Sequence, residues 1–282
     1  MKVAIFGVGF LGSKLMEFFS NKFEVVGADI NPSPNSSVVV LDATNKKEVE
    51  KFLILEKPDI VIDTIALASY FVCENNIELC KRLNYDTAYN IATTCKKINV
   101  IMIFISSSYV FDGEKGSYTE TDLPNSKSEY ARSKIHAEKK VLELNNSIVI
   151  RSEPMYGYDQ KKKQIKVGTN TFENDFKVGY TDILRKPIFI NDVPKIICSL
   201  IEKNQKGIYN IAGQDKVKWL FFLKRLASLT NAEDKVKIVD NSNWILKPPH
   251  DSSLDTSKIA SLGIKTTSFE ISLQELKNIL SF

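Results

Sequence analysis

Short apolar runs alternate with amphipathic helical patterns along the first half of the chain. Six runs are rich in Val and Ile: KVAIFG, FEVVGAD, SVVVLDA, DIVIDTIA, VIMIFIS and NSIVIRS. Runs of this kind are typical of strands that are buried on both faces. Helical periodicity fills the gaps, and in the first gap Leu11, Leu15, Phe18 and Phe19 form one stripe. This alternation predicts right-handed βαβ units, and therefore an α/β fold with a Rossmann-like, doubly wound parallel sheet.

The regular alternation stops near residue 151. Residues 156–180 are polar and irregular, and they predict loops with short pieces of secondary structure. PIFIND and IYNIAG then read as strands, each followed by a helical segment, and Ser272 and Glu275 suggest a capping box for a last helix. We predict a Rossmann core that contains residues 1–150 and about 187–213. A smaller C-terminal α/β substrate lobe contains about 151–186 and 214–282.

A glycine-rich loop follows the first predicted strand. Gly7, Gly9 and Gly12 have G-x-G-x-x-G spacing between that strand and a helix. The first glycine permits a tight turn, the second lets the backbone approach a pyrophosphate, and the third lets the helix pack against the strand. Free N–H groups at the helix N-terminus would then face the phosphates. The sequence therefore predicts a dinucleotide site, whose cofactor-binding residues also include Phe10, Leu11, Ala43, Ala66 and Ala68.

Two acidic residues at strand ends bear on the choice of dinucleotide. Asp29 ends FEVVGAD, 22 residues after Gly7, where a carboxylate can accept from an adenosine ribose and repel a 2′-phosphate. No Arg follows it directly, so the cofactor is NAD(H) or NADP(H) with NAD slightly favoured, although Lys22 leaves NADP open. Asp42 ends the third predicted strand, where it would either face the adenine or only cap a turn.

A helix predicted from residue 126 onward carries Tyr130 and Lys134 in its first turns. Ser126 and Glu129 have capping-box spacing, and residues at i and i+4 share one helix face. One interpretation is an amphipathic Tyr with a solvated Lys. The other is a phenol whose pKa is lowered by an ammonium group. Ser107 lies at the end of the fifth predicted strand, where open α/β sheets bind ligands, and this favours a Ser–Tyr–Lys catalytic set.

Composition excludes several classes of partner. The net charge is +4, from 38 basic and 34 acidic residues that are interleaved, so we expect no nucleic acid. The four cysteines show no C-x-x-C spacing and only two histidines are present, so we predict no metal site and reduced, half-buried thiols. The chain starts with the strand-like MKVAIFG and contains no bilayer-spanning apolar run. We therefore expect a cytoplasmic protein that is neither secreted nor membrane-bound.

Several segments together resemble one known family. GVGFLG, SSSYVFDG, YTETDLP, YARSK, VIRSEPMYG and PPHDSSLDTSKI are similar to those of extended short-chain dehydrogenases/reductases, and most similar to the dTDP-4-dehydrorhamnose reductase (RmlD-like) branch. The resemblance covers nearly the whole chain. It implies that Ser107, Tyr130 and Lys134 form the catalytic triad. Ser108 stands where these reductases often have Asp, and Lys14 stands where some carry a metal-linked Glu, so no metal is predicted.

The resemblance implies a function. We expect NAD(P)H-dependent reduction of the 4-keto group of a nucleotide-diphosphate sugar, dTDP-4-dehydrorhamnose to dTDP-rhamnose, by a protein that can form a homodimer. Two alternatives stay open: an epimerase or dehydratase of the same superfamily, and a non-catalytic dinucleotide-binding subunit like that of methionine adenosyltransferase. Candidate substrate-binding residues are Ser108 and Arg185, since an Arg fork can hold a diphosphate. Lys161, Lys162, Lys163 and Lys166 are further candidates, or belong to a solvated loop.

Overall fold

The structure is a computed structural model that describes residues 1–31, 37–240 and 247–281. Of the predicted substrate lobe, residues 241–246 and 282 lie outside the described residues. The described strands are β1 (Lys2–Phe6), β2 (Glu24–Asp29), β3 (Val38–Val40), β4 (Ile60–Asp63), β5 (Ile101–Ser107), β6 (Ser147–Ser152), β7 (Met155–Asp159), β8 (Gln164–Val167), β9 (Asn170–Thr171), β10 (Phe176–Val178), β11 (Leu184–Arg185), β12 (Ile188–Phe189), β13 (Gly207–Ile211), β14 (Val217–Lys218) and β15 (Val236–Ile238).

The described helices surround these strands. They are α1 (Phe10–Phe19), α2 (Lys46–Glu56), α3 (Tyr70–Asn75), α4 (Ile77–Lys81), α5 (Thr87–Ile98), α6 (Glu129–Val141), α7 (Asp192–Glu202), α8 (Trp219–Ala227), α9 (Ser257–Ser261) and α10 (Phe269–Leu280). A π-helical turn, Arg82–Asp86, leads from α4 into α5. Short 3₁₀ turns are formed by Ser108–Val110, Ser228–Thr230 and Glu233–Lys235.

The predicted parallel sheet is confirmed. Seven strands are ordered β13-β6-β5-β4-β1-β2-β3, and β1 pairs in parallel with both β2 and β4. The order β3-β2-β1-β4-β5-β6 is that of a doubly wound, Rossmann-like fold, and the chain reverses direction across the sheet between β1 and β4. The six Val- and Ile-rich runs of the sequence supply β1 to β6.

The chain separates into two compact units. The first contains residues 1–106, 128–151 and 194–209, and the second contains 107–127, 152–193 and 210–282. The change of pattern near residue 151 therefore coincides with a boundary between the units. Three segments that we assigned to the Rossmann core belong to the second unit: 107–127, 187–193 and 210–213.

Backbone hydrogen bonds explain why residues 107–127 join the second unit. Tyr118 N donates to Ser253 O and Asp255 N donates to Tyr118 O, both at 2.8 Å. Ser117 N also donates to Ser253 Oγ at 3.0 Å. These partners are more than 130 residues apart in sequence, so local sequence patterns carry no signal for them.

The second unit contains a small sheet of which the sequence predicted only one strand, β12 within PIFIND. Strands β12, β7, β8 and β9 form it, with β7 and β8 antiparallel. For residues 156–180 we expected loops with short pieces of secondary structure, because the segment is polar and irregular and includes three consecutive lysines. These lysines form the exposed β7–β8 turn, where Asp159 Oδ1 accepts from Lys161 N and Lys162 N and Lys163 has a φ of +53°. The alternation of Ile165 and Val167 in β8 was the available signal.

Both predicted capping boxes are wrong. Helix α6 is capped by Ser128, whose side chain accepts from Ala131 N at 3.1 Å. Helix α10 is capped by Ser268, which accepts from Ile271 N. Ser272 lies inside α10, fully buried, with its hydroxyl 2.5 Å from the hydroxyl of Tyr156. In each case a second serine close by has the extended backbone that an N-cap requires.

Candidate functional site

The glycine loop joins β1 to α1 with little free space around its first and third glycines. Gly7 has a φ of +83°, which favours glycine, and its N–H donates to Ala28 O at 2.8 Å. A methyl group added to Gly12 would overlap with the carbonyl of Gly7, whereas one added to Gly9 would meet no atom within 4 Å. The N-terminus of α1 has no side-chain cap. The loop therefore packs tightly against the sheet at Gly7 and Gly12 and opens outward at Gly9.

A cavity of about 270 Å³ lies beside this loop. Its lining includes six residues of the predicted cofactor set: Gly7, Gly9, Asp29, Asp42, Ala43 and Ala66. Phe10, Leu11 and Gly12 form the adjoining first turn of α1. Ala68 is exposed and is not among the lining residues. The cavity lies at the carboxyl ends of β1, β2 and β4, which is where a doubly wound sheet binds its ligand.

Asp29, at the end of β2, connects this strand to the glycine loop through a hydrogen bond. Its Oδ2 accepts from Val8 N at 2.6 Å, and its Oδ1 accepts from Asn31 N at 2.8 Å. The carboxylate is half-buried at the edge of the cavity. It therefore holds the loop in shape as well as placing negative charge where the sequence predicted a ribose-binding residue.

Asp42 caps a turn. Its Oδ1 accepts from Thr44 N at 2.9 Å and from Thr44 Oγ1 at 2.8 Å, and its own N–H donates to Glu48 Oε2. Asp42 also lines the cavity, so the cap and the predicted adenine contact are compatible. Its role toward adenine stays a prediction.

Tyr130 and Lys134 are buried on α6, with 8% and 1% of their surfaces exposed. The interpretation of Lys134 as a solvated residue is therefore wrong. Its Nζ lies 4.0 Å from the centroid of the Phe104 ring and has no hydrogen-bond partner among the described residues. Burial lowers the pKa of Lys134 to about 8, while the carboxylates of Asp63 and Glu138 act in the opposite direction. A buried ammonium without a hydrogen bond leaves donors for a ligand.

Asp63, the last residue of β4, is a buried carboxyl that the sequence analysis missed. It is fully buried, its Oδ1 accepts from Ile65 N at 2.9 Å, and its Oδ2 has no hydrogen-bond partner within the described chain. Burial raises the pKa of Asp63 to about 6, and the charge of Lys134 opposes this rise. The available signal was a single acidic residue inside the apolar run DIVIDTIA. Thr64, the next residue, lines the cavity.

A buried ion pair fixes the middle of α6. Arg151 Nη2 lies 2.8 Å from Glu138 Oε2, and both side chains are almost fully buried. Ser106 Oγ donates to Glu138 Oε1 at 2.5 Å. The network connects α6 to β5 and β6, one turn beyond Lys134. None of these three residues was predicted, because their spacing in the sequence carries no local pattern.

The two candidate serines occupy different environments in the second unit. Ser107 is half-buried, and its Oγ accepts from Tyr109 N at 3.1 Å as the cap of the following 3₁₀ turn. Ser108 is fully buried, and its hydroxyl lies 3.5 Å from that of Ser252. Ser108 is shielded from solvent and Ser107 has the more accessible hydroxyl, and the roles of both in the reaction stay predictions.

Arg185 is held by backbone carbonyls. Its Nη1 donates to Leu184 O at 2.6 Å and to His250 O at 3.2 Å, and its Nη2 donates to Pro249 O at 2.7 Å. Only 1% of its surface is exposed. These bonds attach β11 to the segment after residue 246, so the contact of Arg185 with a diphosphate stays a prediction that this environment does not favour.

Within residues 1–31, 37–240 and 247–281, no group of three or more His, Cys, Asp or Glu side chains is arranged to hold a metal ion. Over the same ranges, no helix combines the length and apolar character needed to cross a membrane.

Comparison with known proteins defines the class. The family described as RmlD substrate binding domain matches residues 1–281. Methionine adenosyltransferase 2 subunit beta of Bos taurus is 28% identical over 282 residues, covering 95% of this chain and 84% of that protein. The dTDP-4-dehydrorhamnose reductase of Aggregatibacter actinomycetemcomitans is 26% identical over 296 residues, covering 97% and 96%. A crystal structure of a dTDP-4-dehydrorhamnose reductase from Clostridium acetobutylicum superposes with a TM-score of 0.84 and 26% identity, covering 100% of both chains.

A glycine loop on a doubly wound sheet, with a buried Tyr and Lys one helical turn apart, is the arrangement of an extended short-chain dehydrogenase/reductase. Within that class, the chain belongs to the RmlD substrate binding domain family.

Proposed function

We propose that the protein catalyses the NAD(P)H-dependent reduction of the 4-keto group of a nucleotide-diphosphate sugar, converting dTDP-4-dehydrorhamnose to dTDP-rhamnose. One observation carries the proposal. Lys134 is buried and its ammonium group has no hydrogen-bond partner among the described residues, while Tyr130 lies one turn earlier on the same helix. A lone buried ammonium is costly for stability, so its retention beside a phenol supports a catalytic purpose.

Three side chains divide the chemistry in this proposal. When bound, the reduced dinucleotide supplies a hydride to the keto carbon. The Tyr130 phenol donates a proton to the carbonyl oxygen, which becomes the hydroxyl of the product. Lys134 stabilises the resulting phenolate by its positive charge and binds the ribose, and the Ser107 hydroxyl orients the carbonyl oxygen.

The cofactor proposal favours NADH slightly over NADPH. Asp29 supports this preference, because its carboxylate lines the cavity close to Gly7 and Gly9. A negative charge at this point would repel a 2′-phosphate. In the same proposal the enzyme acts in the cytoplasm on the dinucleotide pool that is available there.

A coupled assay tests the reaction. The purified chain is mixed with NADH or NADPH and a panel of 4-keto sugars linked to dTDP, UDP or GDP, and the loss of dinucleotide absorbance is followed. We expect oxidation with the dTDP-linked sugar and at most a weak response with the free sugar. An epimerase or dehydratase would convert its sugar without net consumption of the dinucleotide.

A non-catalytic regulatory subunit is the second candidate, and the 28% identity to a beta subunit of methionine adenosyltransferase favours it. This candidate predicts dinucleotide binding without turnover, together with a stable complex with an adenosyltransferase catalytic subunit. Size-exclusion chromatography of the chain mixed with such a subunit, with and without dinucleotide, would detect the complex. If the chain co-elutes with the catalytic subunit and reduces no sugar in the coupled assay, the proposed reductase activity is excluded.

A further inference from the structure

Two cysteines share one buried polar cluster in the first unit. Cys73 on α3 and Cys80 on α4 are almost fully buried, and all four cysteines are free and buried rather than half-buried as expected. Asn84 Nδ2 lies 3.4 Å from Cys80 Sγ and 3.9 Å from Cys73 Sγ. Both sulfur atoms therefore contact the same amide nitrogen, which places them in one cluster.

The cluster lies against the helix that carries the candidate catalytic pair. Cys80 Sγ is 3.5 Å from Ser133 Oγ, and Asn84 Nδ2 donates to Ser133 Oγ at 3.1 Å. Ser133 Oγ in turn donates to Tyr130 O at 2.7 Å. Ser133 also precedes Lys134 directly in α6. A movement of the sulfur atoms would thus be transmitted to the turn between Tyr130 and Lys134.

The two thiols differ in acidity. The hydrogen bond from Cys73 lowers the pKa of Cys80 to about 7, against the effect of burial and with support from Ser133 and Asn84. The same bond and burial raise the pKa of Cys73. Three charged groups interact with the pair: Glu74 raises the pKa of Cys73, Glu129 raises that of Cys80, and both thiolates favour the charged form of Lys134. Cys80 is therefore the nucleophile of the pair, and Cys73 keeps its proton.

A cavity lies next to the helix that carries Cys80. A cavity of about 580 Å³ is lined by Ile77 and Lys81 of α4 and by Glu129 and Ser133 of α6. Cys80 precedes Lys81 and contacts Ser133, so its sulfur lies directly behind this wall. Helices α3 and α4 contain only six and five residues. Local opening of these two short helices would expose the Cys80 sulfur to a small oxidant in this cavity.

We propose that Cys73 and Cys80 form an oxidisable dithiol, with a peroxide as the co-reactant. The Cys80 thiolate attacks one peroxide oxygen and breaks the O–O bond, which yields a sulfenic acid and, after protonation, water or an alcohol. The Cys73 sulfur then attacks the Cys80 sulfur, loses its proton and displaces hydroxide, which leaves as water. The pair gives up two electrons, the peroxide accepts them, and one disulfide forms.

Oxidation would inhibit the enzyme, and this consequence rests on the proposed function. A disulfide draws the two sulfur atoms to covalent distance and replaces their contacts with Asn84 and Ser133. The Cys80 thiolate, which favours the charged form of Lys134, is also lost. Both changes act on the turn that carries Tyr130 and Lys134. We expect turnover of the oxidised protein to fall at least about tenfold, and reduction to restore it.

Thiol mapping tests the chemistry without any assay of activity. The full chain is treated with hydrogen peroxide at neutral pH, remaining thiols are alkylated, and peptides are analysed by mass spectrometry. We expect a Cys73–Cys80 disulfide that dithiothreitol reverses, while Cys95 and Cys198 stay alkylated. Burial raises the pKa of both control thiols, that of Cys95 to about 12. Oxidation of all four cysteines at similar rates, or no disulfide, would overturn the proposal.

Single variants assign the two roles. Cys73→Ser should leave a sulfenic acid on Cys80 that dimedone traps, whereas Cys80→Ser should abolish both trapping and the disulfide. Cys95→Ser, also at a buried site, is the matched control and should behave like the wild-type protein. Circular dichroism checks each fold, and Cys→Ala variants replace any Ser variant that does not fold. A dimedone adduct on Cys73 instead of Cys80 would contradict the assignment of Cys80 as the nucleophile.

The two proposals fail separately. If the reduced chain shows no turnover on any sugar, the proposed function fails, while peroxide mapping still decides whether the dithiol exists. If the disulfide forms and turnover is unchanged, the dithiol is confirmed and its control of the Tyr130–Lys134 turn is overturned.

Discussion

At the residue scale, the site combines two buried groups of opposite charge. Asp63 at the end of β4 and Lys134 on α6 each have a charged atom without a hydrogen bond among the described residues. Each charge favours the ionised form of the other, and burial opposes both. Such an arrangement reduces stability unless a ligand satisfies it, which is typical of functional sites.

Asp63 should make stability depend on pH. Its pKa is raised from 3.8 to about 6 in the folded state, so its protonated form favours folding. That contribution is fully present below about pH 4 and is lost as the pH rises through about 6. We expect the free energy of unfolding of wild type to fall by at most about 3 kcal/mol across this window, relative to Asp63→Asn.

Urea unfolding of both proteins between pH 4 and pH 7 measures this difference. Glu153 also has a raised pKa, about 7, but it is present in both proteins and cancels in the comparison. Parallel curves for wild type and Asp63→Asn would show that Asp63 does not titrate in this range.

Asp29 should influence the choice of dinucleotide. We expect wild type to bind NADH at least as tightly as NADPH. Asp29→Asn keeps an acceptor for Val8 N but removes the charge, so it should narrow or reverse the gap in affinity. Fluorescence titration with both dinucleotides measures the four dissociation constants. A strong preference of wild type for NADPH would mean that Asp29 does not face the ribose.

At the element scale, the Glu138–Arg151 pair fixes α6 against β5 and β6. Buried pairs of this kind contribute little compared with apolar residues of similar size, but losing one partner leaves an uncompensated charge. The pair therefore matters for position as well as for stability, because Glu138 lies one turn after Lys134 on the same helix.

Arg151→Ala should destabilise the fold by about 3–5 kcal/mol, because the buried Glu138 carboxylate loses its ion-pair partner and keeps only the hydrogen bond from Ser106. Arg132→Ala is the matched control. Arg132 forms an exposed pair with Glu129 three residues earlier on the same helix, and its loss should cost no more than about 1 kcal/mol. Chemical denaturation compares the two. Equal losses of unfolding free energy in the two variants would show that burial of the Glu138–Arg151 pair does not increase its contribution to stability.

The glycine loop allows a second comparison within one element. Gly9→Ala adds a methyl group that meets no protein atom, so stability should be nearly unchanged while dinucleotide affinity falls by at least about tenfold. In Gly12→Ala the added methyl group overlaps with the Gly7 carbonyl, so the main expected effect is a lower melting temperature. Calorimetry of binding and of unfolding separates the two effects. If Gly9→Ala binds the dinucleotide with unchanged affinity, the pyrophosphate does not bind at this loop.

At the scale of the whole molecule, sequence patterns were sufficient where structure is local. Strands β1 to β6 were predicted because each is a continuous apolar run, and Gly7, Gly9 and Asp29 line one cavity because all three follow parallel strands. Contacts between distant segments were not predictable. Asp63 and the Ser106–Glu138–Arg151 network arise only when separate strands meet α6, and residues 107–127 join the second unit through bonds to residues near 253.

The most direct test of the central claim is transfer of deuterium from the nicotinamide C4 of NADH to a dTDP-linked 4-keto-6-deoxy sugar, followed by mass spectrometry. We predict one deuterium in each reduced sugar, with stoichiometric oxidation of the dinucleotide. Tyr130→Phe, which removes one oxygen, should slow the transfer by about 10²–10⁴ and leave dinucleotide affinity nearly unchanged. Bound dinucleotide without transfer in wild type, or transfer at the wild-type rate in Tyr130→Phe, would contradict the account.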